Sequence, residues 1–150
     1  LGVLVSSGSL TASGDVTWLD TEVIDSGFDS GEGATFVEGE RLLRRPHLVL
    51  GGSVGYRVDG RATLRAAVRQ IGEREDRDFS TFPATPVTLQ AYTLLSAGGE
   101  FALLDGAAGA SLALTLRADN LLGAEYQEVF GFAAPGRQLY VGARVGLGGR

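Results

Sequence analysis

The sequence predicts an all-β chain: an antiparallel meander of about seven long strands forming part of a transmembrane β-barrel. Three observations predict it. Polar and apolar side chains alternate along most of the candidate strands. Several of those strands reach or exceed the ~9–11 residues that cross a bilayer at a tilt. The connections between them alternate between short and long.

The strand candidates are residues 2–6, 9–20, 47–58, 61–73, 86–103, 110–119 and 137–147. Successive side chains of a strand point to opposite faces. In 61–69 one face collects Arg61, Thr63, Arg65, Ala67 and Arg69, and the other Ala62, Leu64, Ala66 and Val68. In 111–117 the leucines 112, 114 and 116 oppose Ser111, Ala113, Thr115 and Arg117. In the last strand Leu139, Val141, Ala143, Val145 and Leu147 oppose Gln138, Tyr140, Gly142, Arg144 and Gly146. The same split runs through 10–18 and 48–58. Apolar out and polar in is the pattern of membrane barrels. A soluble sheet with one wet face has the same period, so strand length and connection length must decide.

The connections favour the membrane reading. Ser7-Gly8, Val58 to Gly60 and Leu104 to Gly109 are short, whereas 21–46, 74–85 and 121–136 are long. Outer-membrane barrels keep short turns on the periplasmic side and long loops outside. Asp59-Gly60 is a hairpin signal, because both residue types tolerate positive φ. Asp105-Gly106 serves a longer turn. Pro83, Pro86 and Pro135 fall in or beside long loops, where a missing N–H costs no ladder bond. Trp18, Tyr92, Tyr126 and Tyr140 fall near strand ends, where interfacial aromatics sit. Glu38 to Arg45 is the only stretch with any helical character.

Composition narrows the classes. The chain has 150 residues, 23 glycines, no cysteine, no methionine and a net charge of −5. No apolar run approaches the ~20 residues of a membrane helix. The acidic balance argues against nucleic acid as a partner. No secretory signal precedes the first strand, so a mature chain or a piece of one is expected.

The chemistry-bearing residues are few. Arg57, Arg65, Arg69, Arg117 and Arg144 fall on the expected lumen face, with Asp15, Glu100 and Asp119 as available partners. A mutually paired lumen wall is the bland reading, and a strip for an anionic ligand or a plug is the functional one. Asp20, Glu22, Asp25, Asp29 and Glu32 make an acidic loop, but their spacing is not that of an EF-hand. His47 is alone and has no cysteine to complete a metal set. No nucleophile elbow or phosphate loop occurs, so neither enzyme activity nor a cofactor is expected.

Five segments carry a resemblance. Leu42-Leu-Arg-Arg-Pro-His47 enters a strand, Gly72-Glu-Arg-Glu-Asp-Arg-Asp78 leaves one, and Val87 to Leu94 begins the next. Asn120-Leu-Leu-Gly-Ala-Glu-Tyr126 is similar to an Asn-Leu-Phe-Asp-x-x-Tyr motif, and Gly131 to Arg137 to Gly-Tyr-x-x-Pro-Gly-Arg. In this order they resemble TonB-dependent outer-membrane receptors, most of all the cobalamin-receptor branch, over about residues 16–147. The motif positions carried over are Asn120, Tyr126, Gly131, Pro135, Gly136 and Arg137. Leu122, Gly123 and Phe132 depart from the motifs. Leu147 stands where the family ends on an aromatic.

The resemblance implies a Gram-negative outer-membrane protein taking up cobalamin, another corrinoid or a ferric siderophore. Such receptors are 22-stranded barrels around a plug. About seven strands in 150 residues is roughly 21 residues per strand, so 22 strands would take roughly 470. Residues 1–150 are therefore expected to be a partial barrel domain, its C-terminal strands, with the plug domain absent. The implied partners are outer-membrane lipid, the barrel-assembly machinery, the plug and remaining strands, TonB through that plug, and a small-molecule ligand at the long loops. Two other readings stay open: a small standalone outer-membrane barrel acting as an adhesin or structural protein, and a soluble β-sandwich binding module.

Overall fold

A computed structural model describes all residues except 29, 30, 32, 106–108 and 148–150. Seven strands form one sheet: β1 (Gly2–Ser7), β2 (Leu10–Trp18), β3 (Leu48–Val58), β4 (Ala62–Ile71), β7 (Tyr92–Asp105), β8 (Ala110–Asp119) and β11 (Gln138–Leu147). Their order in the sheet is their order in the chain, and every neighbouring pair is antiparallel. This is the expected meander. It is an open sheet, with β1 and β11 as its edges. No helix occurs among the described residues.

The two ends of the sheet differ. At one end the strands turn tightly. Asp59 and Gly60 both take positive φ, 49° and 65°, as the hairpin signal requires. At the other end lie the long connections, and two of them carry strands of their own. β5 (Arg74–Asp78) and β6 (Thr85–Leu89) pair as a separate ribbon, and β9 (Gln127–Val129) pairs with β10 (Phe132–Ala133). The expected strand 86–103 is therefore two strands, broken at residues 90–91, and the expected loop 74–85 is largely ribbon. Asp78 turns the ribbon tip by accepting the Ser80 amide at 2.9 Å, and that serine holds its carboxyl below the usual range. The Asp105-Gly106 turn lies partly outside the described residues, as do Asp29, Glu32 and the final Gly-Gly-Arg.

Register fixes which side chains share a face. Asp15 aligns with Gly51, Gly51 with Arg69 and Arg69 with Leu94. Arg57 aligns with Thr63, Arg65 with Gly55 and Gly98, Gly98 with Arg117, and Ala113 with Arg144. All five arginines thus lie on one face. The opposite face carries Val16, Leu50, Val54, Leu64, Val68, Leu95, Leu114, Leu116 and Val141, joined by the same ladders. Among the described residues that face has no second layer, for the remaining sheets are only two-stranded. Leu139 and Leu147 keep 74% and 82% of their surface exposed. A soluble sandwich would cover these side chains with another sheet; a barrel wall presents them to lipid.

The aromatic expectation needs correcting. Trp18 and Tyr56 align with apolar-face residues, but Tyr92 and Tyr140 align with the arginine face. Tyr92 stacks on Tyr126 at 4.1 Å between centroids, and Arg117 lies 5.9 Å over the Tyr140 ring. These two tyrosines therefore stand on the arginine face, in ring and cation–π contacts, and not on the apolar face of an outer girdle.

Candidate functional site

The buried residues gather at the long-connection end, not under the sheet. Asp76, Arg74 and Asn120 are buried polar groups there, beside Val23, Ala34, Ile71 and Leu89. Each polar one is tied into a different part of the loop base.

Asp76 stands in β5, and its side chain has no exposed surface. Oδ1 accepts from Arg44 Nε at 2.9 Å and from the Arg77 amide at 2.8 Å; Oδ2 accepts from the Phe130 amide at 2.8 Å. One carboxylate thus holds the 42–47 segment, the β5–β6 ribbon and the β9–β10 loop together. Charge-assisted bonds of this kind are about twice as strong as neutral ones. Arg44 itself takes φ 60°, a conformation L side chains adopt rarely, and its amide donates to the Glu75 carbonyl at 2.7 Å. Beside it Arg77 pairs with Glu40 at 3.1 Å.

Arg74 begins the same strand. Its Nη2 donates to the Gln127 carbonyl at 2.6 Å, and its guanidinium lies 5.3 Å over the Tyr92 ring. Tyr92 in turn stacks on Tyr126, so a cation and two rings join β5, β7 and the last long loop.

Asn120 closes β8 and turns the chain, with φ 51°. Asparagine tolerates that conformation because its short side chain bonds locally. Its Oδ1 accepts the Ala124 amide at 2.8 Å, and its Nδ2 donates to the carbonyls of Ala124 at 2.9 Å and Pro135 at 3.4 Å. Gly131 takes φ 83°, and its amide donates to Gln127 Oε1 at 2.9 Å. The Arg137 guanidinium packs on Gly123 so closely that a Cβ there would meet it at 2.8 Å. The motif residues Asn120, Tyr126, Gly131, Pro135, Gly136 and Arg137 therefore fall within one tightly bonded loop, and Gly136 lines a cavity of about 480 Å³ with Tyr126 and Pro135.

That cavity opens on the arginine face, where Asp15, Arg69, Arg117 and Gln138 also line it. The expected pairing of this face is partial. Arg117 meets Asp119 at 2.9 Å, and Arg144 meets Glu100 at 3.1 Å. Arg57, Arg65 and Arg69 have no carboxylate within ion-pair distance among the described residues, and Asp15 lies over Gly51 instead.

Among the described residues no three histidines, cysteines or carboxylates converge on a point. Asp25 caps its own turn by accepting the Gly27 amide at 2.7 Å, and Asp20 faces Arg41 at 3.9 Å. His47 packs 6.1 Å from the Trp18 ring. Sequence reasoning misses Asp76, Arg74 and Arg44 as structural centres, because a run of charges between strands reads as solvated loop. Their only signal is that 42–47 and 72–78 belong to the resembling segments.

No family model matches the chain. Over 71 residues, 47% of its length, it is 34% identical to the vitamin B12 transporter BtuB of Vibrio cholerae serotype O1, of which it covers 11%. Its fold matches the ferric enterobactin receptor PfeA of Pseudomonas aeruginosa with a TM-score of 0.69 at 17% identity, over 97% of this chain and 21% of that one. The siderophore receptor PirA of Acinetobacter baumannii gives a TM-score of 0.67 at 14% identity, with the same shares. The chain thus spans about a tenth of the curated relative and about a fifth of each solved receptor. These relatives are transport receptors and not enzymes. On sequence and fold together, the chain resembles a stretch of the β-barrel wall of TonB-dependent receptors, which are outer-membrane proteins of Gram-negative bacteria.

Proposed function

We propose that these residues are the C-terminal barrel portion of an active-transport receptor, energised through TonB, that imports cobalamin or another corrinoid. The observation that carries this reading is the 34% identity to a vitamin B12 transporter. The likeness to siderophore receptors is one of fold alone, so a ferric siderophore ranks second as ligand. On this reading the arginine face lines the lumen and the apolar face meets lipid. The long connections are extracellular and contact the ligand, since long loops on a rigid scaffold carry specificity. The plug domain, the remaining strands and the contact with TonB belong to other parts of the receptor. The barrel-assembly machinery inserts it.

The test begins with the intact mass of the native protein in an outer-membrane fraction, detected with an antibody to residues 121–136. A mass several times that of this chain is expected. A mass equal to it would leave a small standalone barrel. Uptake of radiolabelled cyanocobalamin by cells with and without the gene then decides the ligand. Loss of cobalamin uptake on deletion is expected; unchanged cobalamin uptake with lost ferric-siderophore uptake would overturn the corrinoid assignment.

A further inference from the structure

We infer that the three long connections open and close as one cooperative unit, and that Asp76 is the residue through which the first and the third are coupled. The coupling itself stands on contacts within the chain; its bearing on ligand capture rests on the reading proposed above.

Three observations carry it. First, two connections that share no strand meet on one carboxylate. Arg44, of the connection between β2 and β3, holds Oδ1 at 2.9 Å, and the Phe130 amide, of the connection between β8 and β11, holds Oδ2 at 2.8 Å. Second, both are tied again to the ribbon between them. On one side the Arg44 amide reaches the Glu75 carbonyl at 2.7 Å, and the Phe82 ring fills the place beside Gly33, where a Cβ would meet it at 3.2 Å. On the other side Arg74 reaches the Gln127 carbonyl at 2.6 Å. Third, the Asp76 side chain has no exposed surface, so its oxygens depend on these donors and not on water.

Burial turns shared bonds into coupling. When the third connection swings away, Oδ2 loses its donor. It is then left buried and unsatisfied, which is costly, or water enters and hydrates it. Water raises the local dielectric and weakens the bond from Arg44 that remains. Arg44 takes φ 60°, a backbone that L residues keep only where their surroundings hold it. With its bond weakened, the first connection opens more easily than before. The same steps run in reverse from Arg44 to Phe130. A ligand that holds one connection closed therefore holds the others, and Asp76 acts as a positioning residue for ligand capture.

Phe130 supplies the test, because its amide can be removed without touching Asp76 or Arg44. β9 and β10 pair at Val129 and Phe132, so residues 130–131 are the turn, and Gly131 takes φ 83°. A type II turn has positive φ at this second place and accepts proline at the first. Phe130→Pro removes the ring and the N–H; Phe130→Ala removes the ring and keeps the N–H. Arg44→Gly removes the guanidinium and keeps the positive φ. Each is made in the full-length protein in outer-membrane vesicles, and hydrogen exchange is read by mass spectrometry on peptides 37–45 and 126–134. Phe130→Pro should speed exchange in 37–45 at least about ten-fold, although the substitution lies in another connection. Phe130→Ala should leave 37–45 unchanged, and Arg44→Gly should speed 126–134. Amides in the middle of β3 and β8 should not change in any variant. If Phe130→Pro speeds only 126–134 and Arg44→Gly only 37–45, the coupling is overturned. If Phe130→Ala loosens 37–45 as much as Phe130→Pro does, the ring carries the effect and the role of Asp76 is overturned. Cyanocobalamin added to the parent should slow exchange in all three connections together. Slowing confined to one connection would also overturn the coupling. Failure of cyanocobalamin to bind would count against the corrinoid reading alone, since the variants are compared without ligand.

Discussion

Arg44 donates from Nε to Asp76 Oδ1 across 2.9 Å, and the carboxylate it reaches is wholly buried. The two residues are 32 positions apart, in the first and second long connections. With the Phe130 amide on the other oxygen, Asp76 joins all three long connections. Whatever these loops hold, they hold as one body.

Asp76→Ala should therefore unfasten the loop base while leaving the wall intact. It strands the Arg44 guanidinium and the amides of Arg77 and Phe130. The expected cost is about 2–4 kcal/mol of local stability, less than for a fully buried pair because Arg44 is 38% exposed. Hydrogen exchange in the full-length protein checks it. The Phe130 amide should exchange far faster, and amides in the middle of β3 and β8 should not change.

Much of the wall was legible in the sequence, and the loop base was not. A strand with one polar and one apolar face writes its period into the chain, so Arg65, Ala67 and Arg69 could be placed opposite Leu64, Ala66 and Val68 without coordinates. The β5–β6 ribbon hid for a physical reason. Arg-Glu-Asp-Arg-Asp has no apolar alternation, since what it buries is a carboxylate and a guanidinium. The break at residues 90–91 hid as well, because Val87 and Leu89 continue apolar into Leu94 and Leu95. The motif residues around Asn120 were visible only through resemblance, and their bonds explain why those residue types stand there.

Asn120→Ala should loosen the last long loop. It removes an acceptor for Ala124 N–H and donors to two carbonyls, and it puts a side chain that cannot bond locally at φ 51°. The expected loss is about 1–3 kcal/mol. Asn120→Gly restores the backbone freedom and not the bonds, so it should recover part of the loss. Limited proteolysis of whole cells within residues 121–136 reads the order: fastest for alanine, then glycine, then the parent.

Two glycines on the arginine face should respond oppositely to alanine. A Cβ on Gly98 would meet the Leu116 carbonyl oxygen at 2.6 Å, and backbone cannot step aside cheaply. A Cβ on Gly142 would find only Thr115 Cβ at 3.8 Å, an ordinary contact. Gly98→Ala should lower the yield of folded barrel, measured as the heat-modifiable fraction on a gel, and Gly142→Ala should not. Equal yields would mean that β7 and β8 are farther apart than their register implies.

Leu114→Arg decides between lipid and water on the apolar face. Leu114 sits in the middle of β8, aligned with Phe101 and Ala143, and no second sheet covers it among the described residues. In a bilayer an arginine there should cost about 2–4 kcal/mol near the midplane. Its neighbour Thr115 faces the other way, aligned with Glu100 and Gly142. Thr115→Arg should therefore cost far less, although it adds the same charge to the same strand. The comparison removes strand propensity and net charge as explanations, since both variants change them alike. Insertion of the full-length protein into vesicles, followed across a urea series, gives the two values. A soluble sandwich would also penalise Leu114→Arg, but it would stay in solution without detergent and show no dependence on lipid thickness. A membrane wall should show the Leu114→Arg penalty shrink as the bilayer thins, because the charge then lies closer to water.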